Sequence, residues 1–248
     1  MKKPLYLALV SSILMLVICG CSEGVTEHPK IQEQTVLAED QTVITSVATE
    51  PTETTAVPTT QTTMPTEPPS DDVFVRVLDY IPDIIVDLKY ATTDNFTGQV
   101  IYSSNEAYLR YGTVKKLSSV QAKLKQSGRS LKLWDGFRPP TAQFKLWEIC
   151  PDPTYVSDPN NGFSSHSRGN TVDITVVDQN GTELKMPTGF DDFSTKANRD
   201  YSDCSQEEAE NAAMLEVIMT ENGFKGYYGE WWHYTDTDTY EVEHTFVP

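Results

Sequence analysis

The feature that most restricts how this chain can fold is a long stretch with hardly any material for a hydrophobic core. Residues 22–70 are rich in Thr, Pro, Glu and Gln, and no aromatic residue occurs in residues 22–73. Such a composition cannot bury enough apolar surface to offset the entropy lost on ordering. We therefore expect residues 21–70 to be a disordered, partly extended tether. The folded domain is then confined to residues 71–248, which are enough for one core.

The N-terminus predicts export from the cytoplasm. Two lysines precede an uncharged apolar run from Leu5 to Gly20. This run is shorter than the roughly 20 residues that a membrane span needs, and the arrangement is typical of a signal peptide. The small residue before Cys21 resembles the bacterial lipoprotein processing site. We therefore predict that residues 1–20 are removed and that Cys21 carries the lipid.

Two alternatives remain open for this segment: an uncleaved anchor helix, or an ordinary secretory signal with incidental cysteines. Either would still place the rest of the chain outside the cytoplasm. We predict a protein that is lipid-anchored to the bacterial cell membrane on its extracytoplasmic side. Export would permit a disulfide between Cys150 and Cys204, but the sequence does not show whether their Cα atoms lie close enough.

The charge of the chain excludes one large class of functions. The sequence contains 19 Lys and Arg against 36 Asp and Glu, a formal net charge of −17. Proteins that bind nucleic acid by neutralising phosphates carry basic surfaces. The sequence therefore predicts no nucleic-acid partner.

Local patterns in residues 71–248 favour an α+β fold. Period-two or β-branched runs predict strands at residues 73–77, 84–88, 131–134, 172–177, 227–234 and 240–247. Helical spacing, Pro in a first turn and a Ser-x-x-Glu capping box predict helices at residues 105–126, 139–148 and 205–222. Because helices and strands do not alternate strictly, the order favours α+β over a doubly wound parallel sheet.

A first candidate for chemistry is the segment that leads into the strand at residues 172–177. It contains His166 and Asp173, with Gly169 between them. An aspartate in an apolar strand needs a compensating partner, and a divalent metal supplies one. Gly169 permits a bend that brings the two side chains together. The alternative is an exposed loop histidine near an ordinary strand aspartate.

A second candidate is the aromatic segment Gly229–Tyr234, in which Glu230 and His233 lie among Trp and Tyr residues. Imidazole is a favoured zinc ligand. In a regular strand, however, Glu230 and His233 would face opposite sides, so a bulge or a strand end is needed to bring both to one metal. The alternative is that the tryptophans pack in the core and His233 is a satisfied interior histidine.

Taken together, the two segments supply two histidines and an aspartate for a metal, with Glu230 left as a general base. This set is typical of a hydrolytic zinc centre. Arg138 follows a predicted strand and precedes a predicted helix, which places it well to point into a cleft. The alternative for Arg138 is a surface salt bridge with Asp135.

At these residues the sequence resembles the zinc-dependent D-alanyl-D-alanine dipeptidases of the VanX type. The matching elements occur in order across nearly all of residues 71–248: Tyr90–Gly98, Asp135–Pro139, Ser164–Asp173, Phe190–Asp191 and Glu230–His233. Three of them match the family motifs Asp-Gly-Tyr-Arg-Pro, Ser-x-His-x-x-Gly-x-x-x-Asp and Glu-x-x-His. The leader and tether depart from the family, and the alignment around Met186–Asp192 leaves Asp191 and Asp192 as alternatives.

The resemblance implies a single zinc-peptidase domain with a central, mainly antiparallel sheet flanked by helices. It implies that one Zn²⁺ is bound by His166, Asp173 and His233. Glu230 would be the general base, and Arg138 would stabilise the oxyanion. The implied substrate contacts are Asp191, which would bind the free amine of a D-Ala-D-Ala dipeptide, together with Ser164 and Tyr102.

Two other functions remain open from the sequence. Similar zinc peptidases that share the His-x6-Asp motif are D,D- or L,D-carboxypeptidases acting on peptidoglycan stem peptides, and an extracytoplasmic location suits such a substrate. A second alternative is a non-catalytic wall-binding lipoprotein on a degenerate peptidase fold. Outside the cytoplasm, a dipeptidase would serve the turnover of wall peptides rather than glycopeptide resistance.

Overall fold

The computed structural model describes residues 67–248. The predicted signal peptide (residues 1–20), the predicted lipidation site Cys21 and almost all of the predicted tether lie outside the described residues. None of the helices formed by residues 67–248 has the length and hydropathy that a transmembrane span requires.

Within residues 67–248 the chain forms seven strands and four helices. The strands are β1 (Phe74–Arg76), β2 (Ile85–Val86), β3 (Tyr108–Arg110), β4 (Ser130–Asp135), β5 (Thr171–Val177), β6 (Phe224–Tyr227) and β7 (Glu230–Asp236). The helices are α1 (Val77–Tyr80), α2 (Tyr111–Lys125), α3 (Pro140–Ile149) and α4 (Gln206–Glu221). Short 3₁₀ turns occur at Lys89–Ala91, Ser165–Arg168 and Thr195–Ala197.

Five of these strands form one sheet in the order β2-β4-β5-β7-β6, and β1 pairs with β3 in a separate ribbon. Every pair is antiparallel except β2 with β4, which is parallel. The predicted α+β fold with a mainly antiparallel central sheet is therefore confirmed.

The central strand β5 is buried along its whole length, and its two faces have different roles. Val172, Ile174 and Val176 are fully buried in the main hydrophobic core. Because successive side chains alternate between the faces of a strand, Asp173 lies on the opposite face. The apolar face therefore anchors the strand, and the other face carries a carboxylate into the interior.

Helices α2 and α4 pack against the sheet and contribute to the same core. Leu117, Val120 and Leu124 of α2 are fully buried, and burying one such side chain stabilises the fold by about 1.5–3 kcal/mol. The start of α4 has the predicted capping box: the Ser205 hydroxyl accepts from the backbone N–H of Glu208, and the Glu208 carboxylate accepts from the backbone N–H of Ser205.

Several predicted boundaries were wrong, each because the deciding contact is distant in sequence. The segment predicted as one helix at 105–126 begins with strand β3, which pairs with β1, and the helix starts only at Tyr111. The strand predicted at 73–77 ends at Arg76 and turns into α1. The aromatic strand predicted at 227–234 is instead a hairpin, because the chain turns between β6 and β7.

The segment predicted as a strand at 240–247 forms neither strand nor helix. It packs instead against the 3₁₀ turn at Ser165–Arg168: the backbone N–H of Glu243 donates to the carbonyl of Ser167, and Arg168 donates to the carbonyl of Tyr240. The Phe246 ring stacks on Phe74 at 4.6 Å. Among the described residues, Cys150 and Cys204 are free thiols.

Candidate metal centre and active site

The site is built on a row of three paired residues that crosses the middle of the sheet. Asp135 of β4 lies opposite Asp173 of β5, and Asp173 lies opposite His233 of β7. Residues directly opposite each other on neighbouring strands point to the same face. Strand pairing therefore brings two carboxylates and an imidazole together.

His166 reaches this row from the 3₁₀ turn that precedes β5. Ser164 caps the turn, and its hydroxyl accepts from the backbone N–H of His166. The turn ends at Gly169, whose φ of 76° lies in the left-handed region that favours glycine. A side chain at Gly169 would also collide with the Phe74 ring, so both the backbone conformation and the packing favour glycine at the bend.

The three predicted metal ligands converge, with ligand atoms all within 4.8 Å of one another. His166 Nε2 lies 3.3 Å from Asp173 Oδ2, and His233 Nδ1 lies 3.0 Å from Asp173 Oδ1. His166 Nδ1 lies 2.8 Å from the carbonyl oxygen of Gly136. A proton on Nδ1 would be donated to that carbonyl, which leaves the lone pair of Nε2 facing the other ligands.

The charge balance of this cluster fits a cation. Burial opposes ionisation of Asp173, but the adjacent His166 and His233 outweigh it and lower the pKa of Asp173 far below its usual range. Among the described residues, no donor makes a well-aligned hydrogen bond to the buried Oδ1 of Asp173. An ionised buried oxygen without such a donor is costly unless a cation compensates it.

Glu230 joins the cluster because the β6–β7 pairing is irregular. Gly226 pairs with Tyr234, whereas the next residue, Tyr227, pairs with Glu230. Glu230 is also the first residue of β7. Its Oε2 atom lies 3.5 Å from His233 Nδ1, so the predicted need for a bulge or strand end is confirmed.

The Glu230 carboxyl group is half-buried, and its protonation is tuned by its surroundings. Burial raises its pKa above the usual value, and the nearby charge of Asp173 adds to the rise, although His233 acts in the opposite direction. A raised carboxyl pKa brings the group closer to neutral pH, where accepting and returning a proton is most efficient.

The Arg138 side chain is buried rather than on the surface, and neighbouring side chains hold it in place. Its Nε and Nη2 atoms donate to Asp135 Oδ2 at 3.1 and 2.7 Å, and Nη1 donates to Gln143 at 3.2 Å. Its guanidinium also lies over the Tyr90 ring, 5.0 Å from the centroid. Since a guanidinium has five N–H donors, one remains on each terminal nitrogen for a ligand. The salt bridge with Asp135 that the sequence suggested as an alternative is present, but it is buried and not on the surface.

The structure places Asp191, and not Asp192, in the pocket. Asp191 has a φ of 54°, and its carboxylate accepts a hydrogen bond from the Tyr90 hydroxyl at 2.8 Å. Burial raises the pKa of Asp191 to about 8. Asp192 instead accepts from the backbone N–H of Ser194.

The two weaker predicted substrate contacts differ in position. Ser164 lines the pocket together with the metal-ligand cluster. Tyr102 does not line it: its hydroxyl donates to Asp135 Oδ1 at 2.5 Å, and the residue borders a separate apolar cavity. Tyr102 therefore supports Asp135, which in turn holds Arg138.

The pocket has a volume of about 300 Å³. Sequence reasoning did not single out several of the residues that line it: Tyr90, Tyr155, Ser165, Phe193 and Tyr227. Of these, Tyr90 and Ser165 lie in segments that matched the family, so a signal was present. Tyr155 and Phe193 lie on loops and Tyr227 lies at a strand end, where the sequence pattern does not show which way they face.

Two imidazoles and a buried carboxylate beside a second carboxyl group form a site of the kind that metal-dependent hydrolases use. The sequence model described as D-ala-D-ala dipeptidase (Peptidase_M15) matches residues 71–247. The chain belongs to this metallopeptidase family.

Similar curated proteins carry the same description. The D-alanyl-D-alanine dipeptidase of Escherichia coli (strain K12) is 38% identical over 62% of this chain and 79% of that protein. The D-alanyl-D-alanine dipeptidase of Enterococcus faecalis (strain ATCC 700802 / V583) is 34% identical over 60% of this chain and 83% of that protein. The solved structure of VanYB in complex with D-Alanine-D-Alanine is 16% identical with a TM-score of 0.36, over 55% of this chain and 76% of that one. A likeness this low adds nothing to the assignment, which rests on the sequence matches.

Proposed function

We propose that this protein is a zinc-dependent dipeptidase that hydrolyses D-Ala-D-Ala to two D-alanines. The observation that carries the proposal is that one pocket contains two histidines and an aspartate that could hold a metal, a second carboxyl group, an arginine and a half-buried aspartate. The family match and the curated relatives support the same substrate.

His166, Asp173 and His233 would hold the zinc ion. Two imidazole nitrogens and one carboxylate oxygen are ligands that zinc prefers, and three protein ligands leave the fourth position open, as in catalytic sites. When bound, zinc supplies Lewis acidity that lets water act as a nucleophile near neutral pH.

Glu230 is placed to move the proton. It lies beside the ligand cluster, 3.5 Å from His233, and its raised pKa suits a group that accepts a proton from water and then gives it to the leaving amine. Arg138 lines the same pocket, and its two remaining donors would stabilise the oxygen that becomes negatively charged in the transition state. Losing one such donor typically costs about 3–4 kcal/mol of transition-state stabilisation.

Asp191 would bind the substrate ammonium. Its carboxyl group lies in the same pocket as the metal ligands, beside the hydroxyl of Tyr90. A buried carboxylate that lacks a cation is costly, and a bound ammonium removes that cost. This selects peptides with a free N-terminus at the scissile bond. Ser164, on the pocket wall, remains a candidate contact for the rest of the dipeptide.

A substrate panel tests the proposal against carboxypeptidase activity. Purified zinc-loaded protein is given D-Ala-D-Ala, N-acetyl-D-Ala-D-Ala and a pentapeptide stem ending in D-Ala-D-Ala, and released D-alanine is measured. We expect rapid hydrolysis of the free dipeptide alone. Preferential cleavage of the pentapeptide would make the protein a carboxypeptidase, and purified protein without a zinc site or any hydrolysis would indicate a wall-binding protein.

We also propose that the protein is an exported lipoprotein that acts on peptides released from the cell wall. The support is the sequence alone: the short apolar run that ends before Cys21, and the Thr/Pro-rich residues that follow. Cell fractionation of the full chain and of Cys21→Ala tests this. The native chain should incorporate labelled fatty acid and lose residues 1–20, and Cys21→Ala should do neither.

A further inference from the structure

The hairpin of β6 and β7 carries two essential groups across an irregular stretch of backbone. Glu230 begins β7, and His233 follows three residues later. Within this described hairpin, residues 231–233 have no paired residue on β6, because the register changes between Gly226 and Tyr227. Backbone pairing with β6 therefore does not fix this stretch, and on its other side only His233 of the three residues pairs with β5.

Arg199 makes that connection from the loop before α4. Its backbone N–H donates to the carbonyl of Tyr228 at 3.0 Å. Its side chain makes three more hydrogen bonds to the hairpin: Nε to the Tyr227 carbonyl at 2.7 Å, Nη2 to the His233 carbonyl at 2.9 Å and Nη1 to the Tyr234 hydroxyl at 3.0 Å. The contacted residues lie on both sides of Glu230, so one guanidinium spans the irregular stretch.

The Arg199 side chain is itself tightly fixed. It is 6% exposed, and its Cζ atom lies 4.3 Å from the centroid of the Tyr234 ring. Glu216 of α4 lies 3.4 Å from Nη1 and also accepts from the Tyr201 hydroxyl. A planar guanidinium with its donors in a rigid fork loses little freedom on making several bonds at once, whereas a lysine ammonium cannot reproduce the fork.

A glycine on β6 leaves room for this guanidinium. A side chain at Gly226 would collide with the Cζ, Nε and Nη2 atoms of Arg199. Two separate features of the sequence therefore agree with this packing: an arginine on the loop before α4, and a glycine at the point of β6 that the guanidinium covers.

We propose that Arg199 is a positioning residue that holds the β6–β7 hairpin so that Glu230 and His233 converge on the metal. It does not line the described pocket and acts through the backbone of the hairpin. The proposal rests on the proposed function of the site. Its consequence is that metal affinity and turnover depend on a residue outside the pocket.

The test compares Arg199→Met and Arg199→Lys with the wild type. Zinc affinity is measured by competition with a chromophoric chelator, and kcat and KM are measured on D-Ala-D-Ala at saturating zinc. Groups that orient metal ligands typically contribute 10–100-fold to affinity or activity, so we expect Arg199→Met to lose about 10–100-fold in both zinc affinity and kcat. KM should change less, because Asp191 is untouched. Arg199→Lys should recover only a small part of the loss.

Gly226→Ala provides a second route if the arginine variants fold poorly. It keeps the arginine but obstructs its position, so it should lower zinc affinity in the same direction. Ser205→Ala is the matched control, since it removes the side-chain cap of α4 and leaves the hairpin contacts intact. Near-UV circular dichroism shows that each variant is folded at the assay temperature.

Three results would overturn the proposal: wild-type zinc affinity and kcat in Arg199→Met, full recovery in Arg199→Lys, or an equal loss of zinc affinity in Ser205→Ala. Full recovery by lysine would mean that charge alone suffices, and an equal loss in the control would mean general destabilisation. Failure of the proposed function is separate. If the wild type binds zinc but does not hydrolyse D-Ala-D-Ala, the zinc affinities still decide the role of Arg199.

Discussion

The two halves of the active site are built in different ways. The metal half uses strand pairing: Asp135, Asp173 and His233 lie opposite one another on three neighbouring strands. The other half, called the amine half because we propose that Asp191 binds the substrate amine there, lies on loops. Asp191 belongs to no strand or helix, and its φ of 54° is a left-handed conformation that non-glycine residues adopt infrequently.

This difference determines what each half tolerates. Asp173 pairs with neighbours on both sides and is fixed as long as the sheet forms, whereas His233 pairs only with β5 and its carbonyl accepts from Arg199 on the other side. Asp191 is positioned by its own backbone conformation and by one hydrogen bond from Tyr90. We therefore expect variants of the metal half to act on chemistry or metal content, and variants of the amine half to act on substrate selection.

The largest expected effect belongs to the metal half. Glu230→Gln preserves the shape of the side chain but removes the proton acceptor, and general acid–base groups contribute about 10²–10⁴-fold to rates. We expect kcat on D-Ala-D-Ala to fall by that amount while zinc content, measured by atomic absorption, stays at one per protein. As a control, His166→Ala should lose both zinc and activity. Full activity in Glu230→Gln would remove Glu230 from the mechanism.

The next largest effect is expected in the amine half, from the variant Asp191→Ala. Removing one partner of a desolvated charge pair typically costs about 3–5 kcal/mol, so Asp191→Ala should reduce kcat/KM on D-Ala-D-Ala by at least about 100-fold. Zinc content should not change. The preference for D-Ala-D-Ala over its N-acetylated form should narrow, because the acetylated peptide offers no ammonium.

Asp192→Ala is the matched control, since its carboxylate bonds only a neighbouring backbone N–H in the structure. A larger loss in Asp192→Ala would mean that the amine site is shifted by one residue. If neither variant affects discrimination against the acetylated peptide, recognition of the amine fails as an explanation and the carboxypeptidase alternative moves to first place.

The same contrast explains how much of the site the sequence could predict. The residues at His166, Asp173, Glu230 and His233 have fixed spacings because they sit on one turn and two strands, and such spacing is visible as a motif. The position of Asp191 depends on a loop conformation, so the sequence left Asp191 and Asp192 as alternatives. Tyr102 was predicted to contact the substrate, but its hydroxyl bonds Asp135, which in turn holds Arg138. The sequence pattern does not show this contact, because Asp135 lies 33 residues further along the chain.

For the fold, local signals predicted elements and distant contacts decided their ends. Helix α4 was well predicted because its capping box and the glycine that follows it are local. Strand β3 was missed because its extended conformation comes from pairing with β1. The β6–β7 turn was missed because aromatic residues continue through it, and only packing shows that the chain reverses there.

A smaller effect is expected from Tyr102, whose hydroxyl bonds Asp135 of the metal half. Tyr102→Phe removes the hydrogen bond to Asp135 but leaves Asp135 bonded to Arg138 and to the Gly136 N–H. One such bond contributes about 0.5–1.5 kcal/mol, so kcat should fall about 2- to 10-fold with KM and zinc content unchanged. A rise in KM with unchanged kcat would instead make Tyr102 a direct substrate contact.

The smallest expected effect is on the stability of the zinc-free protein and again concerns Asp191. Burial raises its pKa from 3.8 to about 8, so between these values the folded protein holds a proton that the unfolded chain has released. The contribution of this group to stability is therefore greatest below pH 3.8 and is lost as the pH rises towards 8. Asp191→Asn removes this loss.

We expect Asp191→Asn without zinc to melt a few degrees above the wild type at pH 8, since about 1 kcal/mol corresponds to roughly 2–4 °C in a domain of this size. The difference should shrink as the pH is lowered towards 4. Differential scanning calorimetry at several pH values measures it, with Asp192→Asn as the control for amide substitution in the same loop. Zinc should reduce the difference, because a nearby cation favours the carboxylate. A difference in melting temperature that does not change with pH would mean that Asn only suits the left-handed backbone better. The charge of Asp191 would then not destabilise the fold.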